Sequence, residues 1–126
     1  MKPADFQLHR PQTLAETLTL LHDLAQDVKV LAGGQSLLPL LNFRLSRPAH
    51  VVDIGRVAGL ARIRRTEREL SVGALVRHAE AERSASVAAH TPLLAAALPQ
   101  IAHPPVRNRG TVGGSLAHAD PAAELP

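Results

Sequence analysis

Apolar residues in the first part of this chain recur with the periods of helices and strands. Thr13-Leu14-Ala15-Glu16 matches a capping box, in which the Thr13 hydroxyl caps the helix and Glu16 reaches back to a free backbone N–H. We predict a helix that starts there and ends near Gln26. Its predicted apolar face consists of residues at helical spacing: Leu14, Leu18, Leu21 and Ala25.

A strand, a glycine pair and a second helix follow. Residues 28–32 alternate and then become continuously apolar, which predicts a strand buried on both faces. After Gly33-Gly34-Gln35-Ser36, the apolar residues 37–45 predict a helix with Ser36 as its cap. Residues 50–54 predict another strand. This order of elements indicates a small α/β layer with parallel strands.

The composition changes after Gly55. We therefore place a domain boundary there, between an α/β subdomain of residues 1–55 and a second subdomain of residues 56–126. Residues 60–65 and 69–75 predict an antiparallel hairpin around a polar turn.

Two more helices are predicted after the hairpin. Residues 77–89 are rich in alanine and charged residues and predict a surface helix. Residues 93–98 are apolar and predict a buried helix. Prolines then precede the second glycine-rich segment.

Composition limits the kinds of site that the chain can hold. Its 126 residues include no cysteine, which excludes a disulfide framework, an iron–sulfur cluster and a thiolate zinc site. The net charge of +3 is small and only two residues are aromatic, so a solvated arginine surface is favoured over nucleic-acid binding. We find no signal peptide and no apolar run of membrane-spanning length, and we expect a cytoplasmic location.

No arrangement of catalytic side chains is visible. The seven histidines are scattered, and the HxH, HExxH and GxSxG patterns are all missing. Asp120 and Glu124 fit a carboxylate pair, and they fit capping and solvated positions equally well. We therefore predict no metal site and no catalytic residue.

Two glycine-rich segments offer a different chemistry. One is Gly33-Gly34-Gln35-Ser36, between a strand and a helix, and the other is Gly110-Thr111-Val112-Gly113-Gly114-Ser115. Glycine permits positive φ and close approach of a ligand, and successive N–H groups in such a turn can converge on an anion. Each segment alone also fits a tight turn. Together they fit a pyrophosphate, and hence a dinucleotide cofactor that carries the reaction itself.

The two segments together resemble those of a known family. Residues 32–39, Ala-Gly-Gly-Gln-Ser-Leu-Leu-Pro, are similar to the first flavin-binding segment in the FAD subunit of molybdenum hydroxylases, and residues 107–122 are similar to the second. The likeness is strongest to the medium subunit of aerobic-type carbon monoxide dehydrogenase and weaker to the FAD domain of xanthine dehydrogenase. It extends over the whole chain.

The resemblance implies an α+β fold, namely an FAD-binding fold of two α+β subdomains (PCMH-type) with the diphosphate between the two segments. The family's subunit continues well beyond the second segment, so we expect this chain to be truncated in the second subdomain. Two positions depart from the family pattern, since Gln35 stands where His or Thr is usual and Ser115 where Asn or Asp is usual. Both keep hydrogen-bonding ability. The FAD-binding residues implied by the resemblance are Ala32, Gly33, Gly34, Gln35, Ser36, Thr111, Val112, Gly113, Gly114 and Ser115, with Asp120 near the ribityl or flavin end.

The function implied by the resemblance is that of an FAD-binding electron-transfer component. A molybdenum-binding large subunit and an iron–sulfur small subunit are the expected partners, and they would carry the molybdopterin and the 2Fe-2S clusters. Electrons would reach FAD from the iron–sulfur subunit and pass to NAD, a quinone or another acceptor. The alternative is a truncated, non-catalytic nucleotide-binding remnant or interaction module. The pair of segments favours the first hypothesis, and the early end of the chain favours the second.

Overall fold

A three-stranded parallel sheet lies in the first of two units in the computed structural model, which describes all 126 residues. The first unit is Met1–Ala58 and the second is Gly59–Pro126. The first unit contains β1 (Gln7–His9), α1 (Leu14–Leu24), β2 (Val28–Leu31), α2 (Leu37–Asn42) and β3 (His50–Asp53). The parallel pairing predicted from the order of elements is confirmed.

The strand β3 lies in the middle of this sheet, and β1 and β2 lie at its edges. Val51 and Val52 of β3 are completely buried. Val30 of β2 is 46% exposed, so the prediction that β2 is buried on both faces is wrong. A continuous apolar run is typical of a central strand, and here the run belongs to a strand that has a neighbour on one side only.

The start of α1 follows the predicted capping box. The Glu16 N–H donates to Thr13 Oγ1 at 3.1 Å, and Glu16 Oε2 accepts from the N–H of Gln12 at 2.9 Å. Glu16 therefore satisfies the N–H that precedes the cap residue instead of the cap's own N–H. This arrangement fixes where the helix begins, on the side of the sheet where α1 packs against β3.

The predicted apolar face of α1 is wrong except at Leu21, which is partly buried. The buried residue of the helix is Thr17, at 5% exposure, whereas Leu14 and Leu18 are 50% and 58% exposed. The Thr17 hydroxyl is satisfied locally because it donates to the Thr13 carbonyl at 2.8 Å. A leucine-rich helix contains more than one stripe at helical spacing, and the stripe that faces inward is Thr17, Leu20, Leu21 and Leu24.

The second unit begins with an antiparallel hairpin, as predicted. Its strands pair in a register that sets Arg65 opposite Leu70 and Ile63 opposite Val72. The elements of this unit are β4 (Ile63–Arg65), β5 (Leu70–Val72), α3 (His78–Glu82), α4 (Ala85–His90), α5 (Pro92–Ala97), a 3-10 turn (Leu98–Gln100), α6 (Pro104–Arg107) and α7 (Val112–His118).

The single surface helix predicted over residues 77–89 is wrong. The helix breaks at Ser84, whose Oγ accepts from the N–H of Val87 at 3.3 Å and starts α4. Both short helices bury residues, Ala81 in α3 and Val87 in α4. Serine favours a helix cap over a helix interior because its side chain competes for backbone hydrogen bonds, and this competition divides the segment.

The buried helix predicted over residues 93–98 is also wrong in its burial. Leu93 of α5 is 83% exposed, and the residue that enters the core is Leu98, in the 3-10 turn. The core of this unit holds side chains from most of its elements, including α7. Its buried members are Val76, Ala81, Val87, Leu98, Ile101 and Val112.

Candidate functional site

The first glycine-rich segment connects the carboxyl end of β2 to the start of α2. Ligands of parallel sheets bind at this edge because the connecting loops open there. Gly34 is buried and has φ +75°, in the left-handed region. A Cβ on Gly34 would lie 2.8 Å from Leu38 Cδ1. Glycine is therefore required at this position both by backbone conformation and by space.

Four consecutive backbone N–H groups in this segment have no acceptor within the chain: those of Gly33, Gly34, Gln35 and Ser36. Buried backbone donors are almost always paired, so a run of free donors beside buried glycines is unusual. A left-handed residue within such a run is a feature of the backbone concavities that bind anions. The segment can therefore donate several hydrogen bonds to one anionic group.

No side chain of this segment accepts a hydrogen bond from those four backbone N–H groups. Ser36 has helical φ and ψ and makes no side-chain cap hydrogen bond, so its predicted role as a cap is wrong. A cap residue needs an extended backbone to turn its hydroxyl towards the helix. Gln35 Nε2 donates to the Gly33 carbonyl at 3.3 Å, and half-buried Ala32 links the strand to the segment. The Ser36 hydroxyl is exposed.

The second glycine-rich segment forms a helix N-terminus. Thr111 has an extended backbone, is buried, and accepts from the N–H of Gly114 at 3.1 Å as the cap of α7. None of the three glycines here has positive φ. The predicted turn with converging N–H groups is therefore wrong for this segment, because residues 112–115 already continue as helix.

The backbone donors at the start of α7 are used within the fold. The Val112 N–H donates to the Val76 carbonyl at 3.0 Å, and the Gly113 N–H donates to the Ala74 carbonyl at 2.9 Å. These bonds hold α7 against the chain that leaves β5. A Cβ on Gly113 would lie 2.6 Å from the Ala74 Cβ. Gly113 thus allows two backbones to approach closely, which is the second use of glycine in proteins.

The parts of this segment that a ligand can reach lie further along the chain. Gly113, Gly114 and Ser115 are partly exposed. Asp120 is fully on the surface beyond α7, where its Oδ1 accepts from the N–H of Ala122 at 2.9 Å. Asp120 therefore stabilises a local turn, and its second carboxylate oxygen has no partner in the chain.

A residue missed from the sequence organises this segment. His78, the first residue of α3, is 3% exposed, and its Nε2 lies 3.0 Å from Ser115 Oγ. Its backbone N–H donates to the Gly110 carbonyl at 3.0 Å. Its Nδ1 is buried and has no hydrogen-bond partner. The pattern over residues 77–89 predicted a surface helix and contained no signal for a buried histidine.

Burial lowers the pKa of His78 below the ordinary value of 6.5, because the protonated ring loses solvation. Three neighbours act on this pKa to a lesser degree. The Thr111 backbone carbonyl and the Glu124 carboxylate raise it, and the Arg107 guanidinium lowers it. The Thr111 carbonyl favours the protonated ring without forming a hydrogen bond of ordinary geometry with Nδ1. His78 is therefore neutral at physiological pH.

The structure contains neither a metal-binding cluster nor a membrane-spanning helix. No group of three or more His, Asp or Glu side chains is arranged to hold a metal ion. The helices are all too short or too polar to traverse a lipid bilayer.

A family model described as the FAD binding domain in molybdopterin dehydrogenase matches residues 4–126 of the chain. Among curated relatives, the alpha subunit of the 6-hydroxypseudooxynicotine dehydrogenase complex of Paenarthrobacter nicotinovorans is 53% identical over all 126 residues, which are 43% of that subunit. Caffeine dehydrogenase subunit beta of Pseudomonas sp. (strain CBB1) is 45% identical over the same length, again 43% of the relative.

Solved structures match over the whole chain as well. A carbon monoxide dehydrogenase from Hydrogenophaga pseudoflava, which lacks the Mo-pyranopterin moiety of its cofactor, matches with a TM-score of 0.96 and 43% identity, over 44% of the matched chain. Quinoline 2-oxidoreductase from Pseudomonas putida 86 matches with a TM-score of 0.94 and 47% identity, also over 44% of its chain. The predicted mixed α and β fold is confirmed, and the chain spans less than half the length of these proteins.

Proposed function

Because this chain belongs to the family of FAD-binding domains of molybdopterin dehydrogenases, we propose that it is the FAD-binding part of an electron-transfer component in a molybdenum-containing hydroxylase or dehydrogenase. The membership confirms the resemblance found in the sequence. When bound, FAD supplies the redox chemistry by accepting electrons and passing them to an acceptor. The protein's own contribution is to bind and orient the cofactor.

The observation that carries this proposal is the run of free N–H groups from Gly33 to Ser36. A diphosphate is anionic and rich in acceptor oxygens, and hydrogen bonds from backbone donors to a charged acceptor are stronger than those between neutral groups. The left-handed Gly34 keeps these donors in one short turn. The residues present in the first segment therefore fit the diphosphate of FAD.

The second segment has a different role in this proposal. Thr111 and Val112 are buried and hold α7 in place, so they act on FAD indirectly. Ser115 and the partly exposed backbone of Gly113 and Gly114 are the groups that contact FAD. Asp120 lies beyond the helix, and its free carboxylate oxygen suits a hydroxyl of the ribityl chain.

The partner subunits are inferred from the relatives, which are themselves named as subunits or chains of larger enzymes. The relatives include a subunit of a named dehydrogenase complex and medium chains of carbon monoxide dehydrogenases. We propose a molybdenum-binding large subunit and an iron–sulfur small subunit as partners, with electrons arriving from the iron–sulfur clusters. The chain's lack of cysteine means that it cannot itself bind such clusters through thiolates.

Residues outside this chain determine the substrate of the complex. Relatives that match this chain over all 126 residues are named for caffeine, nicotine and carbon monoxide, which share little chemistry. A domain that matches all of these relatives does not by itself select among their substrates. We therefore place substrate specificity on the molybdenum-binding subunit.

Titration with flavins of decreasing phosphate content tests the proposal. The chain is mixed with FAD, FMN or riboflavin, and binding is followed by flavin absorbance and fluorescence. We expect FAD to bind most tightly and riboflavin, which has no phosphate, to bind at least about tenfold more weakly. Equal binding of riboflavin and FAD would contradict the role of residues 33–36. A folded chain that binds no flavin would favour the non-catalytic interaction module.

A further inference from the structure

His78 contacts both ends of the second glycine-rich segment. On one side its Nε2 lies 3.0 Å from Ser115 Oγ. On the other side the ring packs against Gly110, where an added Cβ would lie 2.8 Å from Nδ1 and 2.9 Å from Cε1. The side chain is 3% exposed, so water does not substitute freely for either contact.

The two ring nitrogens have different surroundings, and this difference favours one tautomer. A neutral imidazole has one N–H donor and one acceptor nitrogen. A proton on Nδ1 would have no acceptor in hydrogen-bonding geometry, because even the Thr111 carbonyl, which raises the pKa of the ring, makes no such bond with Nδ1. A proton on Nε2 has an acceptor in Ser115 Oγ. The arrangement therefore favours the Nε2–H tautomer, in which His78 donates and Ser115 accepts.

The direction of this hydrogen bond determines what Ser115 can do for a ligand. A hydroxyl that accepts from His78 keeps its own proton free to donate elsewhere. A hydroxyl that donated to His78 would present only lone pairs to a ligand, and these would repel the anionic oxygens of FAD. Ser115 is partly exposed, so its free proton is accessible.

We propose that His78 is a positioning residue for FAD. The Nε2–H of His78 donates to Ser115 Oγ, which leaves the Ser115 hydroxyl free to donate to an anionic oxygen of the cofactor. This proposal rests on the proposed function, and it adds a residue that does not itself touch FAD. His78 also closes the segment from the other side, because its ring occupies the space beside Gly110.

The tautomer can be measured without the cofactor. Long-range proton–nitrogen NMR spectra of the full chain, with the His78 signals assigned by comparison with His78→Gln, report which ring nitrogen is protonated at neutral pH. We expect the proton on Nε2. A proton on Nδ1 would overturn the proposal, since Ser115 would then donate to the ring.

The FAD affinity of variants tests whether the Ser115 hydroxyl donates a hydrogen bond to the cofactor. We expect Ser115→Ala and His78→Leu each to weaken FAD binding by about tenfold, the usual effect of one hydrogen bond to a charged group. The double variant should also bind about tenfold more weakly, because the hydrogen-bonding effect of His78 on FAD passes through Ser115. His78→Gln, which carries an amide N–H at a similar reach to Nε2, should bind FAD within about twofold of the original chain.

A matched control separates positioning from general stability. Val87→Ala removes buried core volume in the same unit and changes no group that is proposed to contact FAD directly, so it should lower stability and leave FAD affinity unchanged. If His78→Leu does not fold, His78→Gln and Ser115→Ala still decide the matter. Normal binding by Ser115→Ala, or weak binding by His78→Gln, would overturn the proposal.

The failure of this proposal is distinguishable from failure of the proposed function. Binding of FAD by the original chain, combined with variants that bind equally well, overturns only the role of His78. If the original chain bound no FAD, the proposed function would fail and the role of His78 towards the cofactor would fail with it.

Discussion

The N–H of Gly113 donates to the carbonyl oxygen of Ala74 at 2.9 Å, and this bond joins the start of α7 to the chain that leaves β5. The bond gives the second glycine pair a structural task that the first pair does not have. Gly33 and Gly34 have free N–H groups, whereas the N–H groups of Gly113 and Gly114 have acceptors within the fold. The two similar glycine pairs thus have different roles: the first has free N–H donors, and the second packs against the chain that leaves β5.

Gly113→Ala should destabilise the chain by about 1 to 3 kcal/mol, the usual cost of overpacking. The new Cβ would lie 2.6 Å from the Ala74 Cβ and 2.7 Å from both its Cα and carbonyl oxygen. The midpoint of urea unfolding measures the effect. Adding Ala74→Gly should recover little stability, because two of the three close atoms are backbone. Full recovery would show that the Cβ contact alone matters.

Gly34→Ala should weaken FAD binding more than Gly59→Ala does. Both glycines have positive φ, at +75° and +85°, so alanine strains both backbones by about 1 to 2 kcal/mol. Only Gly34 lies within the run of free N–H groups, and its added Cβ would also press on Leu38. Flavin fluorescence titration of both variants measures the difference. Equal losses of affinity would indicate strain alone.

How far the sequence predicts this structure depends on how local each signal is. The capping box at Thr13 and the hairpin between Arg65 and Leu70 were predicted because their hydrogen bonds join residues a few positions apart. The inward face of α1 was not, because leucines on several sides of the helix match the same period. Only packing against β3 selects the stripe that contains Thr17.

The same distinction applies to the site. Gly34 was predicted from its neighbours, since a strand, a glycine pair and a helix follow one another along the chain. The contact between His78 and Ser115 joins residues that are 37 positions apart, and no local pattern encodes it. The second glycine segment was predicted as an open turn because its acceptors, Ala74 and Val76, lie far back in the sequence. The FAD contacts of the individual residues stay predictions.

Arg107→Ala should destabilise the chain by about 2 kcal/mol, in the range for hydrogen bonds to charged groups. Arg107 Nε lies 3.0 Å from Glu82 Oε2, and its Nη1 donates to the Ile101 carbonyl at 2.9 Å. The Arg107 side chain is only 12% exposed, so solvent screens this ion pair less than a surface pair. Arg107→Lys should lose most of the same stability, because an ammonium does not reproduce the guanidinium geometry.

The control for Arg107 is Glu80→Ala, which removes an exposed carboxylate from the same helix as Glu82. Its urea midpoint should stay close to that of the original chain, since surface substitutions have small effects. A large loss in Glu80→Ala would mean that helix charge, and not the Arg107 pair, sets the stability of α3.

Stability should fall as the pH decreases through the range in which histidine titrates, because the pKa of His78 is lowered in the folded chain. The unfolded chain binds a proton at His78 near pH 6.5, while the folded chain binds it only at lower pH. Unfolding therefore takes up a proton between these two values, and stability rises with pH there. The contribution of His78 to stability is complete above the unfolded pKa and is lost as the pH falls towards the folded pKa.

Urea unfolding between about pH 5 and about pH 8 measures this loss of stability, and His78→Gln is the control that keeps every other histidine. The original chain should lose more stability on acidification than His78→Gln does. Parallel losses would mean that the groups that raise the pKa of His78, namely the Thr111 carbonyl and the Glu124 carboxylate, cancel the effect of burial.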